Sequence, residues 1–104
     1  MDYEEGAKIF KALGDVKRMM IIDMLSVGEL CACMILEKFK LSQSTLSHHM
    51  KLLCESGVVR GRNEGKWTYY SLDPEGIARA RQFFDDLTAD REPRIPKYEE
   101  GCCQ

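Results

Sequence analysis

No apolar run in this chain approaches the about 18 residues a membrane-crossing helix needs, and Met19 to Leu25 is broken by Asp23. The opening residues Met1-Asp2-Tyr3-Glu4-Glu5 are too acidic for a secretion signal or transit peptide, so a cytoplasmic location is expected. There is no excess of positive charge: 15 Lys and Arg stand against 17 Asp and Glu. Histidine is confined to His48 and His49. Repeats and low-complexity stretches are absent. The five cysteines, Cys31, Cys33, Cys54, Cys102 and Cys103, are odd in number, which argues against a secreted disulfide framework. What remains, in 104 residues, is one globular domain too small to join a catalytic and a regulatory unit.

Charge is distributed more tellingly than its sum. From Ser42 to Tyr70 four basic residues, Lys51, Arg60, Arg62 and Lys66, meet two acids, whereas from Asp85 to Glu100 six acids meet three bases. A polyanion is expected to engage the middle of the chain and avoid its end.

Helical spacing marks Tyr3, Ala7 and Phe10, with Ile9 and Leu13 beside them, and Gly14 as a stop. Asp15 can cap a second helix from Val16 to about Val27. A third is expected from about Leu30 to Phe39 with Gly28 as its only cap candidate, and a fourth from the cap Ser42 to Gly57. Val58–Arg62 and Lys66–Leu72 then read as strands around the turn Asn63-Glu64-Gly65. Asp73 and Pro74 open a last helix with the stripe Ile77, Ala80, Phe84 and Leu87, ended by Pro93 and Pro96. The fold class is mainly α with a β-hairpin wing, in the order α-α-α-α-β-β-α. Residues 1–92 form the domain, and residues 93–104 a flexible tail carrying Cys102 and Cys103. The first and last helices keep apolar stripes for which a second copy of the chain is the expected partner.

The third and fourth helices, joined by Lys40-Leu41-Ser42, read as a helix-turn-helix. Leu46, Met50 and Leu53 define the inner side of the fourth helix, with His49 near it, and Ser44, Ser47, His48 and Lys51 the outer side. With Gln43 and Thr45 these groups can bond to base edges or phosphates of double-stranded DNA. Arg60, Arg62 and Lys66 at the hairpin would grip phosphates or enter the minor groove, which completes a winged helix-turn-helix.

Residues 41–53 (LSQSTLSHHMKLL), 55–59 (ESGVV), 64–72 (EGKWTYYSL) and 10–18 (FKALGDVKR) resemble the arsenical-resistance repressor (ArsR/SmtB) family, over about residues 5 to 90. The resemblance implies a homodimeric repressor on a palindromic operator that lets go when a toxic metal or metalloid binds. Glu29-Leu-Cys-Ala-Cys33 is similar to the family's thiolate motif for As(III), Sb(III) or soft metal ions, with Cd(II), Pb(II) and Zn(II) as alternatives. A helix N-terminus favours the thiolate that binds such ions. Because residues i and i+2 stand about 200° apart on an α-helix, capture by Cys31 and Cys33 is expected to distort the first turn of the third helix. As(III) favours three sulfurs, and Met34–Phe39 contains no cysteine, so one or both of Cys102 and Cys103, from the same or the other subunit, are expected to complete the site.

Other readings stay open on fewer residues. Cys54 reads as core filler. Asp85, Asp86 and Asp90 read as a solvated face, since no histidine accompanies them in a zinc site. A repressor of the same fold sensing thiol oxidation is the nearest rival. A thiol oxidoreductase is disfavoured, because neither Cys-x-x-Cys nor a βαβ unit is present, and the chain is expected not to be an enzyme.

Overall fold

The computed structural model describes residues 1–90; Cys102, Cys103 and the expected tail lie outside the described residues. The capping signals set most of the boundaries. Asp2 opens α1 (Tyr3–Leu13), its Oδ1 accepting from the Glu5 N–H at 3.1 Å. Asp15 opens α2 (Val16–Leu25) in the same way, through the Arg18 N–H. That helix stops short of Val27, which is exposed, and the chain then turns through Gly28 at φ 137°.

The third helix departs from expectation. Leu30–Cys31 forms a short strand, β1, and α3 runs only from Ala32 to Phe39. The cap is Cys31 rather than Gly28: its backbone is extended at φ −70°, ψ 143°, and its sulfur accepts from the Cys33 N–H at 3.4 Å. Leu30 and Cys31 are laddered to Tyr70 and Tyr69, so the sheet holds them extended and a helix cannot begin there. After α3, Lys40 in the left-handed region (φ 54°) makes the tight turn to Ser42, whose Oγ caps α4 (Gln43–Glu55).

The wing is β2 (Val59–Glu64) and β3 (Trp67–Leu72), and the sheet order is β1-β3-β2, all antiparallel. Glu64 pairs with Trp67, so the turn is Gly65-Lys66 and not Asn63-Glu64-Gly65. Gly65 sits at φ 63°, as a two-residue hairpin requires. Asp73 then caps α5 (Pro74–Thr88), as its Pro74 at the first turn implied.

Ile21, Leu25, Ile35, Met50 and Leu53 are fully buried at the centre, each worth about 1.5–3 kcal/mol of transfer free energy. Leu46, Met50 and Leu53 thus form the inner side of α4, as their spacing predicts. Arg18 is buried beside them. Its Nε donates to the Ala12 carbonyl at 2.7 Å, one amino group to the Lys11 carbonyl, and the other meets His49 Nδ1 at 3.0 Å. One side chain therefore closes the end of α1 and fastens it to α4. The start of α5 is seated equally closely: a Cβ on Gly76 would stand 1.6 Å from the Gly57 carbonyl oxygen. Tyr3, Phe10, Phe84 and Leu87 remain exposed on α1 and α5, and Phe10 and Phe84 line a groove of about 570 Å³ together with Leu13, Ile77 and Ala80.

Candidate functional site

Two thiols meet at the junction of β1 and α3. Cys31 is buried at the strand end and Cys33 is exposed one residue into the helix. The Cys33 thiol donates to Cys31 Sγ across 2.7 Å. The expectation that these sulfurs face apart is corrected here. It assumed both residues helical, whereas Cys31 is an extended cap that turns its sulfur back over the first turn. Two thiolates on one tetrahedral ion, each at about 2.3 Å, stand about 3.8 Å apart. To hold one ion the pair would therefore have to open from its 2.7 Å contact.

The expected thiolate activation is also reversed. Backbone N–H groups at the helix start do lower the Cys33 pKa, but the hydrogen bond to Cys31 and desolvation outweigh them and raise it. Cys54, half-buried against the core, is likewise pushed up by burial, which fits its reading as filler. Among the described residues no three His, Cys, Asp or Glu side chains converge to hold a metal ion. The donor set of Cys31 and Cys33 fits a thiophilic ion that takes a further ligand from elsewhere.

On α4, Gln43, Ser44, Thr45, Ser47, His48 and Lys51 are all exposed. Ser47, His48 and Lys51 lie on the outer side at helical spacing. Ser44 and Thr45 are more constrained, because both hydroxyls meet Ser42 Oγ, at 3.2 and 2.8 Å, in the cap network. His49, as expected, turns inward to Arg18; burial, above all, holds its imidazole below the usual pKa.

The wing brings Arg60, Arg62 and Lys66 to the surface, but not equally free. Lys66 hangs near the tip, its Nζ 5.9 Å from the Trp67 ring centre, and Arg60 Nε reaches Ser71 Oγ at 3.4 Å. Arg62 is enclosed. Its Nε and one amino group grip both oxygens of Glu29, at 3.1 and 2.7 Å, and the other amino group donates to Glu64. The guanidinium also lies 4.8 Å from the Tyr69 ring centre. These contacts raise the Arg62 pKa further and lower that of Glu29, chiefly through their hydrogen bond. Sequence reasoning gave no role to Glu29, Tyr69 or Arg18. Arg18 left a signal as a cation within a mostly apolar helix, and Glu29 as the first residue of the thiolate motif.

The chain has counterparts among known proteins in sequence and fold. Residues 15–60 match the family model described as bacterial regulatory protein, arsR family. The arsenical resistance operon repressor of Staphylococcus xylosus is 41% identical over 99% of this chain and all of its own. A homologue of a cadmium resistance transcriptional regulatory protein in Staphylococcus aureus is 47% identical, over 68% of this chain and 60% of its own length. A crystal structure of a possible transcriptional regulator for arsenical resistance superposes with a TM-score of 0.71 at 31% identity, covering 80% of this chain and 86% of that one.

Proposed function

The chain belongs to the arsR family of bacterial regulatory proteins, DNA-binding transcriptional repressors, and from that premise we propose that it leaves its operator when As(III) or Sb(III) is captured by Cys31 and Cys33. The observation that carries this reading is the convergence of the two sulfurs on the cap of α3, the helix that leads into the DNA-facing α4. Soft thiolates select soft ions, and bound arsenic or antimony supplies the thiophilic centre that replaces the hydrogen bond between the two thiols. Cys31 is the shared point: its sulfur is a ligand, and its backbone belongs to the wing sheet through Tyr69. Prising the two sulfurs apart acts on the wing and on α3 together, without unwinding either. Cys102 or Cys103, from the same or a second copy, adds the third sulfur that arsenic prefers. Cd(II), Pb(II) and Zn(II) are the alternatives for the same thiols, cadmium being the metal named for one relative.

DNA recognition in this reading uses Gln43, Ser44, Thr45, Ser47, His48 and Lys51 in the major groove and Arg60, Arg62 and Lys66 along the backbone. The chain acts as a homodimer on a palindromic duplex, with the apolar faces of α1 and α5 covered by the second copy.

Oxidation is the second reading, favoured by the 2.7 Å between the sulfurs. The raised pKa of Cys33 does not separate the two, since oxidation and metal capture both proceed through the thiolate. Titrating the DNA-bound chain with arsenite, antimonite, cadmium and peroxide, the first three under reducing conditions, separates the readings by fluorescence anisotropy. Arsenite or antimonite should release the wild type and not the Cys31→Ser or Cys33→Ser chains. Release of those variants at the same concentration would remove the pair from the site. Cys102→Ser and Cys103→Ser test the tail: an unchanged response to arsenite would exclude it.

A further inference from the structure

The wing's central cation is already occupied. Arg62 has three nitrogens, and all three donate to carboxylates of its own chain: two to Glu29, one to Glu64. The Tyr69 ring lies beneath its plane. A guanidinium binds phosphate through this same planar fork, so it cannot hold Glu29 and a DNA phosphate by the same edge at once. Arg62 is half exposed and Glu29 a little over a third, so the pair is open to competition rather than sealed.

From this geometry we infer that Glu29 is a positioning residue for DNA recognition: it competes with backbone phosphate for Arg62 and weakens that cation's hold on the duplex. The inference rests on the DNA-binding reading above and adds to it an internal competitor.

The competitor directly precedes the ligand-bearing strand. Cys31 pairs with Tyr69 across β1 and β3, and Tyr69 pairs with Arg62 across β3 and β2, so the three form one rung of the sheet. Glu29 lies two residues before Cys31, just outside β1 and after the Gly28 turn. Whatever seizes the Cys31 sulfur therefore acts on the segment that sets how well Glu29 meets Arg62. The rung provides a route from thiols to wing that bypasses α4.

Glu29→Gln tests this directly, because Glu29 is exposed and outside every helix, so the fold does not depend on its charge. The probe is a duplex selected from a random pool by the wild-type chain, without inducer. Freed from its exposed ion pair, Arg62 should tighten binding about two- to fivefold. The salt dependence should also steepen by about one counterion per protomer, because phosphate contact no longer exchanges one anion for another. In an Arg62→Ala background the same substitution should do nothing, which separates competition for Arg62 from simple repulsion of DNA by Glu29. Unchanged or weaker binding by Glu29→Gln, an unchanged salt slope, or an equal gain in the Arg62→Ala background would each overturn the proposal. Failure of the wild type to bind any duplex would overturn the DNA reading with it. A wild type that binds while Glu29→Gln changes nothing sinks the competition alone.

Discussion

The chemistry of Cys33 is set by its bond to Cys31. A thiol that donates a hydrogen bond must give that bond up to ionise, so the raised pKa keeps the thiolate fraction below that of an ordinary cysteine. Iodoacetamide should therefore alkylate Cys33 more slowly at pH 8 than an unhindered thiol, and Cys31→Ala should speed the reaction. A rate that falls or stays level in that variant would refute the bond's role. Metal capture releases protons from the same thiols, so affinity should rise with pH. The pKa of His49 is displaced the other way, and this bears on stability. Burial lowers its folded pKa beneath the ordinary 6.5, so the unfolded chain takes up a proton first as pH falls. Stability is full above pH 6.5 and declines on acidification below it. His49→Gln, which keeps a neutral polar group near Arg18, should flatten that decline in a series of thermal melts; an unaltered pH profile would show that the imidazole is not its cause.

Elements here are joined where side chains are smallest. Gly76 lets the start of α5 rest on the Gly57 carbonyl, and a methyl group has no space there because the obstructing atom is backbone. Gly76→Ala should cost about 1–3 kcal/mol or more in urea unfolding by forcing α5 outward. A variant as stable as the wild type would mean that α5 can shift without loss. In the wing, Arg62→Ala should weaken binding to all duplexes alike, whereas changes at Ser47 or His48 on α4 should alter sequence preference in selection from a random pool. Most of this architecture was readable from local chemistry: Asp15, Ser42 and Asp73 are caps by type, and the inner side of α4 follows from spacing. The strand at Leu30–Cys31 was not. Two residues carry no periodicity, and what holds them extended is pairing with Tyr69 and Tyr70, far along the chain. Missing that strand led the sulfurs to be placed on opposite sides of a helix. The Glu29–Arg62 pair was hidden for the same reason, since 33 residues separate its partners and only the sheet brings them together.

At the scale of the molecule, the described residues of one copy leave an apolar surface without cover. Tyr3 and Phe10 on α1 and Phe84 and Leu87 on α5 are each more than a third exposed, and Phe10 stacks edge-on against Phe84 at 5.9 Å between ring centres. Water pays heavily for such contiguous apolar area, and a twofold partner presenting the same face removes it. Such a dimer would also resolve the charge problem. With a net charge of −2 a single chain has little long-range pull on a polyanion, but two basic wings held at a fixed spacing double the phosphate contacts made in one event. Phe84→Asp together with Leu87→Asp should therefore do two things at once: shift the chain to monomer in sedimentation velocity, and cost far more duplex affinity than Arg62→Ala, although neither residue touches DNA. The folded helix content should persist, since both side chains are exposed and the central core lies elsewhere. Full duplex affinity in a demonstrated monomer would mean that one wing and one α4 suffice, and that the apolar faces of α1 and α5 serve some purpose other than pairing.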